Sequence, residues 1–429
     1  MEHWSIPRVS RRRFLKSTAG TGALMTLGGR AVLGAESPSS RLRVGVMGLS
    51  RGMAHVKAYL SVRNVEIAYV CDVDSRRAAE AVRAVERSGQ YAPAIPVTDF
   101  RTILDDKDID VLSIAAPNFW HAPATILACQ AGKHVYVEKP GSHNAAESQL
   151  MVKAARKHDR KVQMGNQRRS LPAIIEGIEK AKSGAIGPLR FARCWYDANR
   201  ESIGKGKPAP VPDWLNWDLW QGPTPERPFK DNLVHYNWHW HWHYGGGELA
   251  NNGVHALDLA RWALGVDPPR QVACTGGRYH FDDDQETPDT ASCLFDFGSV
   301  GASWEGSSCL PRKHEKHAFV SIYGDSGVLA FESSGYRIFD LQGKEIESNV
   351  PAFSDVYHFQ NMADAVRLGT PLNAEIEDAQ RSTMLCHYGN IAYRTGGAVT
   401  VDQRTGAVTS HAVEKFWGRE YRKGWAPEV

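Results

Sequence analysis

Leu42-Arg43-Val44-Gly45-Val46-Met47-Gly48-Leu49-Ser50-Arg51-Gly52 reads as a short β-strand running into a glycine turn, and a helical pattern starts near Met53. A second apolar run, Val65 to Cys71, ends at Asp72, an acid placed 24 positions after Gly48. Strand, turn, helix, strand and acid in this order describe a Rossmann unit. The turn brings backbone N–H groups to a pyrophosphate at the helix N-terminus, and the acid bonds ribose hydroxyls. Ser50 stands where a second glycine is usual, and the turn is one residue short. Gly48, Ser50, Arg51, Gly52 and Asp72 are thus candidate dinucleotide contacts. Asp72 favours NAD, because a carboxylate repels a 2′-phosphate; Arg76 and Arg77, one turn further on, leave NADP open.

The α/β pattern continues downstream. Val111 to Ala116 is a buried-strand run ending in Pro117-Asn118, with His121 and a helical stretch to Ala131 behind it. His134 to Val137 then leads into Glu138-Lys139-Pro140. Pro117-Asn118-x-x-His121, followed by Gly132-Lys133-His134-Val135-x-Val137-Glu138-Lys139-Pro140, resembles the Gfo/Idh/MocA oxidoreductases, named after glucose–fructose oxidoreductase and inositol dehydrogenase. The resemblance implies a nicotinamide cofactor, with Lys139 beside the nicotinamide and substrate and Asn118 along the ribose. Pro117, His121 and Glu138 belong to the same motifs and are taken as cofactor contacts. A lysine suits that place: partly desolvated, its ammonium gives up a proton nearer neutral pH, and while charged it stabilises an alkoxide. Val162-Gln163-Met164-Gly165-Asn166-Gln167-Arg168-Arg169 resembles the family segment that leaves the first domain. Asn166 and Arg168 are candidate contacts there, and Arg169 reads as solvent-facing.

Beyond Ser170 the pattern changes. Leu189–Tyr196, Val272–Tyr279, Ala291–Phe297, Val300–Trp304 and Phe319–Tyr323 read as strands, consistent with a mainly antiparallel sheet and a few helices. The fold class is therefore α/β: an N-terminal Rossmann domain over 41–165 and a C-terminal α+β substrate and oligomerisation domain over 166–429. The helical segment Ser354–Leu368 precedes a return toward the first domain. A Pro- and Trp-rich insertion, Arg200–Tyr244, is too long for a structureless loop and reads as a functional or interface element.

Gly245-Gly246-Gly247, then Asn251, His255 and Asp258, resemble the second family motif. Positions four apart share a helix face, so residues 251 and 255 can both look at a substrate. The resemblance makes His255 the catalytic histidine, while Asp258 braces the helix. Asn251 stands where the inositol dehydrogenase type has Asp; an amide holds a hydroxyl but is no base. Just upstream, His235 to Tyr244 alternates His and Trp. If extended, it puts histidines on one face and tryptophans on the other. His239, His241 and His243 could meet a zinc ion, but no acidic or Cys ligand with recognisable spacing accompanies them, and no metal is assigned. Aromatic walls and polar rings suit a sugar; packing at a dimer interface suits them equally.

Length and charge bound the rest. A chain of 429 residues calls for two domains. The net charge of +3 is concentrated at one end: the first 35 residues carry six Lys/Arg and one Glu, leaving 45 basic and 47 acidic residues, a net of −2. That body has no footprint for nucleic acid. The seven cysteines are scattered and read as core residues rather than disulfide or metal partners. Ser10-Arg11-Arg12-Arg13-Phe14-Leu15-Lys16 resembles a twin-arginine export signal, with residues 1–35 as the signal peptide. It implies the twin-arginine export machinery as a partner and a periplasmic or otherwise exported destination. Because that route carries folded, cofactor-loaded proteins, NAD (or NADP) is expected to be tightly bound. The expectation is a homo-oligomeric oxidoreductase moving a hydride between a sugar or polyol carbon and bound NAD(P), with Lys139, His255 and Asn251 at the reacting centre. The alternative is an NAD-dependent glycoside hydrolase working by oxidation, elimination and reduction.

Overall fold

The computed structural model describes residues 41–408 and 413–429. The twin-arginine motif and the rest of the signal segment lie outside the described residues. Six strands, β1 (Leu42–Met47), β2 (Val65–Cys71), β3 (Ile95–Val97), β4 (Val111–Ile114), β5 (His134–Val137) and β6 (Val162–Met164), form an all-parallel sheet in the order 3-2-1-4-5-6. This is the doubly wound dinucleotide-binding order, with its switch point between β1 and β4. Strands β4 and β6 are wholly buried because helices cover both faces, which is why they read as continuous apolar runs.

A second sheet holds nine strands: β7 (Leu189–Asp197), β8 (Gln271–Gly277), β9 (Thr290–Asp296), β10 (Gly301–Ser307), β11 (Val320–Gly324), β12 (Gly327–Phe331), β13 (Tyr336–Phe339), β14 (Glu345–Asn349) and β15 (Val399–Thr400). Their order is 14-13-12-11-7-10-9-8-15, and every pairing is antiparallel except β7 with β10. Along β9, Ala291, Cys293 and Phe295 point into the core while Ser292 and Leu294 face out. Helices Pro172–Lys182, Val254–Leu264 and Ile376–Thr395 cover the inner face.

Two elements of the segment 166–429 pack on the first domain, the late helix in the direction the sequence suggested. Helix Val356–Leu368 packs on the Rossmann helix Gly52–Leu60, and Phe359 stacks on Tyr136 at 4.5 Å. Removing a ring buried this way costs about 3–5 kcal/mol. The insertion, assigned by its sequence position to the second domain, joins the first domain's core: Leu215, Trp220, Phe229, Leu233, Trp238 and Tyr244 share a cluster with Phe119, Trp120 and Leu112. These large apolar side chains are buried against the apolar helix Asn118–Gln130.

Three other expectations are corrected. Cys274 and Cys293 lie opposite each other in the β8–β9 register and form a disulfide, so they are not independent core thiols. Arg169 is buried rather than solvent-facing: Nε donates to Asp258 at 2.9 Å and Nη1 reaches Asp378. The His–Trp alternation is not extended, since Asn237–Trp240 is a 3-10 turn and Trp238 stacks on His239 at 3.6 Å. Its histidines therefore scatter. Among the described residues no group of three or more His, Cys, Asp or Glu is arranged to hold a metal ion, and no helix is long and apolar enough to cross a membrane.

Candidate functional site

At the carboxyl ends of the parallel strands lies a cavity of about 490 Å³, a volume suited to a small-molecule ligand. One end is built by the first turn. Gly48 has φ +82°, and a Cβ there would stand 2.7 Å from the Ala115 backbone, so only glycine permits the approach of β1 and β4. Ser50 and Arg51 line the cavity just before the helix that starts at Gly52; there Ala54 N–H turns back to Arg51 O at 2.9 Å, and the two amides before it have no acceptor within the helix. Gly52 itself lies outside the lining and lets the helix pack on Val46.

Asp72 lines the same end. Its carboxylate accepts the Leu49 amide at 2.7 Å and the Asp74 amide at 2.8 Å, which fixes it beside the turn. Burial pushes its carboxyl up, with those two amides opposing. Arg76 is turned away: one edge of its guanidinium, Nε and Nη2, donates to both oxygens of Asp74, at 3.0 and 2.8 Å, and it stacks on Trp214 of the insertion at 3.6 Å. Arg77 does line the cavity. The insertion is fastened here as well, with His235 Nε2 3.0 Å from Asp74 Oδ2 and Asn216 N–H bonded to Val73 O at 2.9 Å.

Glu138 organises the middle. Its Oε1 accepts from Arg51 Nε (3.1 Å) and Gln167 Nε2 (3.1 Å) and meets His55 Nε2 (3.0 Å), while Oε2 takes the Lys139 amide at 3.1 Å. Burial alone would raise this carboxyl, but the His55 bond and the Arg51 charge hold it well below the usual range. An anion with four donors is an anchor, not a proton donor. His121 spans the loop behind it, Nδ1 lying 2.6 Å from Pro140 O and Nε2 2.8 Å from Ala116 O. Pro117 and Asn118 border the cavity at the start of the helix Asn118–Gln130.

The far end brings Lys139, Asn251 and His255 together. Lys139 Nζ donates to Asn251 O at 2.8 Å and to Asn251 Oδ1 at 2.9 Å. Burial lowers its ammonium below the ordinary lysine value, against the pull of Glu138. Burial, then the charges of Lys139 and Arg168, hold the His255 ring well below its ordinary value, so it is neutral. Leu249–Gly253 is a π-helical turn leading into helix Val254–Leu264, so residues 251, 252 and 255 all border the cavity. Such wide turns recur at functional sites. Asp258 points away and braces the helix through Arg169 and Ser382 Oγ (2.6 Å).

Asn166 and Arg168 do not line the cavity. Asn166 is buried behind it, and Arg168 packs over Phe319 at 4.6 Å while adding positive charge near Lys139 and His255. The intervening Gln167 lines it instead. Tyr196, Trp220 and Asn252, which the sequence did not single out, complete the wall together with Tyr236 and Trp238 of the His–Trp run. His239 is held neutral by burial, pushed down to about 3. The arrangement fits a dinucleotide running from Asp72 to Lys139, with a polar, aromatic-walled space left for a hydroxylated substrate.

Comparison with known proteins agrees with this geometry. A family model described as "Oxidoreductase family, NAD-binding Rossmann fold" matches residues 42–166, and its companion, "Oxidoreductase family, C-terminal alpha/beta domain", matches 195–426. A curated relative named glycosyl hydrolase family 109 protein 1, from Shewanella sp. (strain ANA-3), is 29% identical over 210 residues, covering 44% of this chain and 46% of the relative. The chain thus spans about half the length of the curated relatives it matches. Levoglucosan dehydrogenase, solved with NADH and L-sorbose, superposes with TM-score 0.66 at 20% identity over 85% of this chain and 99% of that one. Aldose-aldose oxidoreductase from Caulobacter crescentus, solved with glycerol, gives 0.65 at 19% over 84% and 100%. At these identities the two structures speak to the fold alone.

Proposed function

The chain belongs to the Gfo/Idh/MocA oxidoreductase family, and on that premise we propose that it moves a hydride between a sugar or polyol carbon and tightly held NAD. The observation that carries the reading is that Lys139, His255 and Asn251 border the same cavity as Gly48 and Asp72. The turn, Ser50, Arg51, Asp72, Pro117 and Asn118 would hold the dinucleotide. When bound, the nicotinamide accepts or returns a hydride. Lys139, its pKa lowered by burial, takes the hydroxyl proton during oxidation and returns it during reduction. Neutral His255 is a second station for that proton. The Asn251 amide, its oxygen bonded to Lys139, fixes the ammonium and offers its nitrogen to a hydroxyl. Trp220, Trp238 and Tyr236 supply apolar surface against a sugar ring. NAD is preferred over NADP because Asp72 faces the ribose end, while Arg76 is committed to Asp74 and Trp214 and Arg77, which lines the cavity, lies 3.8 Å from the same Asp74 carboxylate.

Export by the twin-arginine route to the periplasm or beyond is part of the proposal, and the Cys274–Cys293 disulfide suits an oxidising compartment. Outside the cytoplasm free NAD is scarce, so the cofactor is recycled in place. A homo-oligomer would cover the outer face of the nine-stranded sheet, where Leu294 is exposed.

The second reading, a glycoside hydrolase, is favoured by the names of the curated relatives and by the amide at position 251. There a transient ketone acidifies the neighbouring C–H, a base removes that proton, and the aglycone leaves. Water then adds, and the hydride returns to the ketone carbon. Screening the purified protein in heavy water without added cofactor tests both. Deuterium next to the oxidised carbon of a cleaved product selects the hydrolase; exchange of oxidation state between two sugars without cleavage selects the oxidoreductase. Activity only with stoichiometric free NAD(H) would remove the closed cycle.

A further inference from the structure

A second cavity, of about 590 Å³, lies on the other side of the loop that carries Lys139. Its walls come from five places distant in sequence: the loop after Pro140, the insertion with the glycines behind it, Glu286 between β8 and β9, helix Ile376–Thr395 and the C-terminal tail. Four cationic side chains border it, Arg227, Arg394, Lys415 and Arg419, against two carboxylates, Glu286 and Glu420. Glu286 is already engaged: Oε2 accepts the Trp242 amide at 2.7 Å and Oε1 lies 3.6 Å from His241 Nδ1.

The floor holds hydrogen-bond donors without acceptors. The Arg419 side chain is 10% exposed. Its Nε donates to Glu147 at 2.8 Å and its Nη2 to Phe119 O at 2.7 Å, yet Nη1 is buried with no partner. Asn144, 6% exposed, caps helix Ala145–Lys157 through Oδ1, which accepts the Glu147 amide at 3.1 Å; its Nδ2 is buried and unpartnered. At the rim, Arg394 stacks between Trp242 (4.8 Å) and Phe416 (4.1 Å); Glu286 is the carboxylate that acts on it, at a longer range than an ion pair. Buried donors are ordinarily paired, because an orphaned one forfeits its hydration. Two of them beneath a cationic rim are matched by one kind of ligand, a group with several acceptor oxygens and negative charge.

We propose that this cavity is a binding site for an oxyanion, a carboxylate or a tetrahedral sulfate or phosphate group, separate from the dinucleotide cavity. The Asn144 amide and Arg419 Nη1 meet the oxygens at the floor, and Arg394 closes over them at the rim. The loop from Pro140 to Asn144 joins this floor directly to Lys139.

The test is titration of the purified holoprotein, at low ionic strength, with sodium sulfate, inorganic phosphate and sodium galacturonate, galactose being the neutral control. Calorimetry is the main readout, with the change in total tryptophan fluorescence, to which Trp242 in the cavity wall contributes, as the second. At least one anion binds saturably at about one per chain, and galactose does not compete. Arg394→Gln, a rim change, and Asn144→Ser, which keeps a capping oxygen but removes the amide donor, each weaken binding by about tenfold or more, as loss of a charge-assisted bond requires. Preference for sulfate or phosphate over galacturonate identifies a tetrahedral ligand; the reverse identifies an acidic sugar. Absence of saturable binding by all three anions, or binding that both substitutions leave unaltered, overturns the proposal.

Discussion

Lys139 Nζ is bonded twice to a single residue, Asn251, once to its backbone oxygen and once to its side-chain oxygen. The two come from different domains, so the reacting centre exists only when the domains are packed together. Replacing either Lys139 or His255 with Ala should lower turnover by about 10²- to 10⁴-fold, the usual range for an acid–base group. Bound dinucleotide, measured after denaturation, should change little. An alanine variant with near-normal turnover would remove that residue from the proton path.

Asn251→Asp places a carboxylate where the amide oxygen now lies 2.9 Å from Nζ. A nearby anion favours the ammonium, so the lowered Lys139 pKa should move back up. The pH dependence of kcat/KM for oxidation rises as Lys139 loses its proton, and its inflection should shift to higher pH in the variant. An unmoved inflection would assign that limb to another group.

Cofactor retention should depend on Asp72. Its alanine variant should purify with less NAD than the roughly one per chain expected of a tight site, and should gain NADP binding relative to NAD because the repelling charge is gone. Equal occupancy in both proteins would place the ribose elsewhere.

Glu138→Gln should cost about 3 kcal/mol in chemical denaturation at neutral pH, since it removes the buried anion that Arg51, His55, Gln167 and the Lys139 amide share, Arg51 keeping only Asp355. Because the folded Glu138 pKa is depressed, its stabilisation is present above the ordinary glutamate value of about 4.3 and disappears as pH falls through the folded value. The stability gap between wild type and variant should therefore close in acid. A gap that persists unchanged at low pH would show the loss to be steric.

Alkylation of the unfolded, unreduced protein should label five cysteines: 71, 129, 194, 309 and 386. Labelling of all seven would mean that Cys274 and Cys293 are thiols.

Sequence exposed the parts of this site that local pattern creates. The Gly48 turn, Asp72 and the run into Lys139 are contiguous with strands whose apolar pattern is plain, and each borders the cavity. Motif resemblance carried Asn251 and His255 across an irregular region where periodicity alone would not. What stayed hidden depends on contacts distant in the chain. His55 and Gln167 matter because they meet Glu138, 83 and 29 residues away, and nothing beside them in sequence signals it. The same holds for Arg169, whose burial follows from Asp258 and Asp378. Strand β14 is exposed along its whole length and lacks the apolar signature that marked β7 or β11, whereas β12 and β13 carry buried apolar residues in runs of only five and four. The His–Trp run misled because its alternation presumed an extended chain, whereas burying the tryptophans required a tight turn.

Helix Val356–Leu368 has a consequence for biosynthesis. Phe359, Met362 and Ala363 complete the same core as Val44, Val46 and Tyr59. That core stays open at one face until roughly three hundred further residues have left the ribosome after β1, although domains commonly fold as they emerge. Arg51 gains its partner Asp355 equally late. The nucleotide-binding half therefore matures only after strands β7 to β14 of the second sheet have been made. Truncation before Asp355 would leave a chain with every strand of its parallel sheet and no finished hydrophobic interior behind Tyr136.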